Sequence, residues 1–167
     1  MNEVREIVTK AIVAKGKKYI SLSHNITSNK SPYSILGCWV INHEFEANRN
    51  EDLIDINGAF EVNIWYSTEQ NMKTDIIREK VNYKKDIKVK RIVNEYLKNS
   101  DDILVKILKH PTVTNAKIID GEIKIDVDFE ILAEVIGETK MQVTVFTPVT
   151  QDEDIEDEEE HKEEKED

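Results

Sequence analysis

The stretch Glu122 to Ile131, EIKIDVDFEI, decides the fold. Ile123, Ile125, Val127, Phe129 and Ile131 alternate with Glu122, Lys124, Asp126, Asp128 and Glu130. Successive side chains of a strand point to opposite faces, so this period of two predicts a strand with one buried and one wet face. Asp120-Gly121 just upstream marks a tight hairpin turn back from Val113 to Ile119. Downstream, Gly137-Glu138 predicts a turn into a further alternating run at Met141, Val143 and Val145.

The same alternation spreads through the rest of the chain. Trp39, Ile41, His43, Phe45 and Ala47 are expected on one face, against Val40, Asn42, Glu44 and Glu46. A polar turn at Arg49 to Asp52 leads to Phe60, Val62, Ile64 and Tyr66 on one side, with Glu61, Asn63 and Trp65 on the other. Lys73 to Arg91 predicts one or two strands with Ile77, Val81, Tyr83, Ile87 and Val89 inward, and Ile20, Leu22, His24 and Ile26 alternate near the start. Two segments depart from this pattern. Val4, Ile7, Val8, Ala11 and Ile12 follow the spacing of a short amphipathic helix, although the segment is rich in β-branched residues. Ser100-Asp101-Asp102 reads as a second helix start, with Ile103, Leu104, Ile107 and Leu108 as its stripe. Lys109 and His110 then fall in the last turn and Pro111 stops it. The expected fold is mainly β, an antiparallel β-sandwich or barrel-like domain over residues 1–150 with one or two short helices.

Charge sets a boundary near residue 150. Asp152 to Asp167 holds twelve acidic residues against Lys162 and Lys165, a net of -10 out of the chain's -11. The other 151 residues hold 22 acidic and 21 basic groups, a net of -1. Ile155 is the tail's single aliphatic residue, so residues 151–167 cannot bury enough apolar area to offset ordering entropy and are expected to be a disordered acidic tail. Such a tail solubilises, recruits basic partners or weakly holds divalent cations; Asp154, Glu158, Glu159 and Glu160 are its candidate contact residues. It argues against nucleic acid, whose phosphates it would repel. No run of about 18 apolar residues is present, so no membrane insertion is expected, and Met1 to Ala14 lacks the apolar core of a secretory signal.

Candidate chemistry is sparse. Cys38 stands alone and cannot form an internal disulfide, and with four scattered His it offers no zinc spacing. His43 neighbours Glu44 and Glu46 in sequence, but alternation turns those carboxylates away, so a hydrogen-bonded core histidine is the better reading; His24 reads the same way. His110 reads as a helix-end residue. Asp126, Asp128 and Glu130 line one strand face roughly 7 Å apart, too far for one calcium ion, and read as a solvated or cross-strand-paired acidic face with Lys84, Lys88 and Lys90 as available partners. No phosphate loop, nucleophile elbow or paired-carboxylate constellation points to an enzyme, and no cofactor is expected. Trp65, on a polar face, packs in the core or anchors a subunit contact.

Five strings then become specific together. Arg5 to Lys18 (REIVTKAIVAKGKK), Ser34 to Ala47 (SILGCWVINHEFEA), Val62 to Ser67 (VNIWYS), Glu79 to Tyr83 (EKVNY) and Leu132 to Lys140 (LAEVIGETK) resemble, in order and across the whole body, the spore outer-coat morphogenetic protein family CotE of endospore-forming Firmicutes. The acidic tail fits as well, though it is short and lacks aromatic residues. The resemblance implies a non-enzymatic scaffold made in the mother-cell cytoplasm and located in the spore coat. It implies self-assembly around the forespore, attachment to a basement-layer coat morphogenetic protein, and recruitment of outer-coat proteins. Trp65 and the stripe Val4, Ile7, Val8 and Ile12 are the residues expected to carry self-contact. A carbohydrate- or small-ligand-binding sandwich is the alternative, favoured by an aromatic cleft around Trp39, Trp65 or Tyr66.

Overall fold

A computed structural model describes residues 2–93 and 98–148. It contains seven strands: β1 (Asn2–Ile26), β2 (Ser34–Asn50), β3 (Leu53–Thr68), β4 (Lys73–Lys88), β5 (Lys90–Arg91), β6 (Lys98–Ile119) and β7 (Glu122–Phe146). They form two sheets, ordered β5-β1-β7-β6 and β2-β3-β4. The mainly β, antiparallel sandwich expected from alternation is what the chain adopts. The hairpin at Asp120-Gly121 is present, and both residues take positive φ (51° and 79°), the twist a two-residue turn requires.

Both predicted helices are strands, and no described residue is helical. Val4 to Ile12 lies in β1, with Ile7 half-buried and Val4 and Val8 exposed. Apolar residues on both faces of a strand imitate a helical stripe, and the β-branched side chains favour the extended form. Ile103 to Leu108 lies in β6, where Ile103, Val105 and Ile107 turn inward while Leu104 and Leu108 are exposed. Pro111 does not end this strand, because it falls where the register slips between Lys109 and Thr112, a bulge that needs no backbone N–H. Nor does Gly137-Glu138 turn the chain. β7 continues past it as one strand between β1 and β6, with Glu138 still paired to Lys98.

The chain falls into two compact units, residues 10–139 and the two chain ends before and after them. In the unit formed by the ends, Lys140 Nζ lies 2.8 Å from Glu6 Oε1, and Val4, Val8, Met141 and Phe146 are exposed. In the larger unit Ile123, Ile125, Val127, Phe129 and Ile131 of β7 are at most 1% exposed and share one core with Ile54, Ile56, Phe60, Val62, Ile64 and Tyr66 of β3. At the sheet edges β2 runs against β6, and Lys18 Nζ of β1 donates to the Asp86 carbonyl of β4 at 2.9 Å. Within the core, Phe45, Phe60, Tyr83 and Phe129 surround His43, with ring centroids 5.6 to 6.4 Å from it. Gly58 makes room for this cluster: a Cβ there would stand 2.3 Å from the Tyr83 ring.

Candidate assembly surface

The outer face of the β2-β3-β4 sheet owes its character to one residue. Asn42 sits at φ 56°, and around it three residues of β2 advance against two of β3, from Ile41 opposite Glu61 to Glu44 opposite Ala59. Asparagine tolerates this left-handed conformation better than other non-glycine residues, and its Nδ2 donates to Glu61 Oε2 at 3.1 Å. The bulge reverses which face β2 buries. His43, Phe45 and Ala47 point inward, as do Cys38 and Val40 before it. Trp39 and Ile41 therefore point outward, 43% and 42% exposed. The expectation that Trp39 through Ala47 share one face is corrected by this bulge, which the sequence does not announce.

Pairing registers place the outer-face residues in level rungs across the three strands: Gly37, Trp65 and Ile76; Trp39, Asn63 and Arg78; Ile41, Glu61 and Lys80; Glu44, Ala59 and Asn82; Glu46, Asn57 and Lys84. One end is therefore apolar, with Trp65 43% and Ile76 49% exposed. The other end is charged and forms an open trough of about 710 Å³ whose walls are Glu44 and Glu46 on β2 and Lys80 and Lys84 on β4. Lys80 Nζ reaches across the small Ala59 to within 3.5 Å of Glu44 Oε1. Between the tryptophans Asn63 is only 3% exposed, and its Nδ2 finds no acceptor among the described residues. A buried amide left in this state costs about 1–3 kcal/mol.

Of the residues proposed for self-contact, Trp65 is on this face. Val4 and Val8 are exposed elsewhere on β1, Ile12 is 40% exposed, and Ile7 lies on the opposite side of the strand from Val4 and Val8. Asp154, Glu158, Glu159 and Glu160 lie outside the described residues. Trp39, Ile41 and Ile76 were not among the sequence candidates for self-contact. Ile76 was legible, because it faces outward in strict alternation with Ile77 on β4; Trp39 and Ile41 were hidden by the bulge. The three aromatics suggested for a ligand cleft do not converge, since Tyr66 is fully buried on the inner face and donates its hydroxyl to Asp75 Oδ2 at 3.3 Å.

His43 and Tyr83 are tied into the core. His43 Nε2 hydrogen-bonds the Tyr83 hydroxyl, and burial, then the charge of His110, holds the imidazole below its usual range. Burial pushes Tyr83 up to about 12. His24 Nε2 lies 3.3 Å from Glu79 Oε1, both about one-third exposed. His110 is exposed on β6 rather than at a helix end, and the half-buried Cys38 thiol is pushed up by burial. The acidic face of β7 is cross-strand paired, but with hydroxyls of β1 rather than lysines of β4. Tyr19 donates to Asp128 at 2.7 Å and Ser23 to Asp126 at 2.6 Å, and the Ser23 bond is the main cause holding the Asp126 carboxyl below its usual range. Among the described residues no group of three or more His, Cys, Asp or Glu is placed to hold a metal ion.

A family model described as Outer spore coat protein E (CotE) matches residues 3–167. No curated protein matches the chain, and no solved structure does.

Proposed function

The chain belongs to the outer spore coat protein E (CotE) family, an outer spore coat protein family, and from that premise we propose that it is a structural morphogenetic scaffold rather than an enzyme. It is made in the mother cell, assembles with itself around the forespore, contacts a basement-layer coat protein and draws outer-coat proteins into place. The observation that carries this reading is the sheet face on which Trp39, Trp65, Ile41 and Ile76 stand exposed in adjacent rungs. Exposed aromatic and aliphatic side chains grouped on one face are the raw material of a protein–protein contact.

The division of charge supports a second task. Residues other than the tail carry a net of -1 and repel their own copies little, whereas the segment from Asp152 onward carries -10. In this reading the body builds the shell and the tail recruits basic coat proteins. Deleting residues 152–167 should leave the oligomer seen by light scattering intact, while binding to basic coat proteins weakens and loses its salt dependence. Loss of self-assembly on that deletion refutes the division, and a wild-type chain that stays monomeric at high concentration refutes the scaffold.

A further inference from the structure

We propose that the outer face of the β2-β3-β4 sheet pairs with the same face of a second copy about a two-fold axis parallel to its strands. This rests on the self-assembly reading and names the contact through which it occurs.

The charge columns choose the axis. Two sheets stacked face to face with aligned strands can be related by a two-fold axis in the interface plane, running either across the strands or along them. An axis across the strands lays β2 over the partner's β2 and β4 over the partner's β4. It also reverses the rung order, so that, centred on the middle rung, it sets Glu46 over the partner's Gly37, Glu44 over the partner's Trp39, Lys84 over the partner's Ile76 and Lys80 over the partner's Lys80, with no charge opposite its counter-charge. An axis along the strands lays β2 over the partner's β4 and keeps every rung level. Glu46 then meets the partner's Lys84, and Lys84 meets the partner's Glu46. Among the described residues neither Glu46 nor Lys84 has an ionic partner within its own chain, although they share a rung.

The two rungs at the apolar end agree. Trp39 meets the partner's Arg78 twice, a cation–π arrangement. Trp65 meets the partner's Trp65 at the apolar end. Asn63 lies on the central strand beside these contacts, but at 3% exposed it is covered by its own chain and adds nothing to them. Glu61 meets its own counterpart, with Lys80 of both chains beside the pair. The rungs run from residue 57 to 65 of β3, about 27 Å, over three strands about 14 Å wide, roughly 400 Å² per copy. That is about half the area of a standard stable interface, so the contact is reversible and dilution-dependent.

The test is a charge swap read by sedimentation across a dilution series, with circular dichroism confirming the fold. Glu46→Lys and Lys84→Glu each convert two attractive contacts into repulsive ones and should weaken association by about tenfold. The double variant E46K/K84E should return to within about threefold of wild type, and so should an equimolar mixture of the two single variants. Weakened single variants with no recovery in the double variant or the mixture overturn the pairing of these columns. Single variants that associate like wild type overturn this face as the interface and leave the scaffold reading standing. A monomeric wild type overturns both. As a measurement free of charge changes, Asn57→Cys in a Cys38→Ser background places a thiol on the two-fold column. A short bismaleimide should link it into dimers, and failure to do so while Cys38→Ser still self-associates overturns the proposal.

Discussion

Replacing Trp65 with alanine should break up the assembly before it unfolds the chain. Trp65 is 43% exposed, which on a side chain of about 250 Å² leaves about 110 Å² open to solvent. Covering that area in a contact is worth about 2.7 kcal/mol at 25 cal/mol per Å². Some of this is offset by the ordering cost of association, leaving about 2 kcal/mol per chain. One lost anchor weakens association by roughly 30-fold, and a symmetric contact, in which the anchor is lost twice, by roughly a thousandfold. The covered part of the ring rests on its own sheet, so a moderate fall in melting temperature accompanies the effect. Trp65→Lys separates the two contributions: its aliphatic stem still covers the strand, while its ammonium group resists burial between subunits. Light scattering over a dilution series and thermal melts of both variants read stoichiometry and stability side by side. An unchanged oligomer with a collapsed melting temperature would show that Trp65 serves its own sheet alone, and the reasoning from exposure would fail.

Other consequences can be read from the monomer. Gly58→Ala should cost about 1–3 kcal/mol, because the new methyl group would stand 2.3 Å from a Tyr83 ring already enclosed by His43, Phe60 and Phe129; chemical denaturation measures it, and a neutral result would mean the aromatic cluster is loosely packed. His43 is held below its usual range in the fold, so at pH above about 6.5 both folded and unfolded chains carry it neutral and the stabilisation is fully present; as pH falls from 6.5 toward the folded value the unfolded chain takes up the proton first and stability declines, by no more than about 1.4 kcal/mol per pH unit. In His43→Phe that part of the pH–stability curve should flatten, and an unchanged slope would assign it to other groups. Asn42→Gly should be tolerated within about 1 kcal/mol, whereas Asn42→Val should lose about 1–2 kcal/mol through strain at φ 56°. Equal stability of those two variants would argue that the bulge relaxes.

Local alternation was enough to determine the class of this fold. Ile123 to Ile131 alternate without interruption, so one face of β7 had to be apolar, and a single long strand of that kind requires a second layer to cover it. The Asp120-Gly121 turn and the inward set on β3 were equally legible, because their causes lie within a few residues. Where pairing overrode local preference, the sequence misled. Ile103 to Leu108 carries apolar residues on both faces, which mimics a helix, and only the ladder to β7 makes it extended; the same ladder carries β7 through Gly137. The Trp39 face was decided by tertiary structure alone. A bulge arises when two strands must match lengths and twist, a property of the pair, and its single extra residue turns Trp39 and Ile41 from the core to the surface. The acidic and basic columns likewise come from strands more than 30 residues apart. Composition records that both charges are present, but only the registers set Glu46 and Lys84 level with each other.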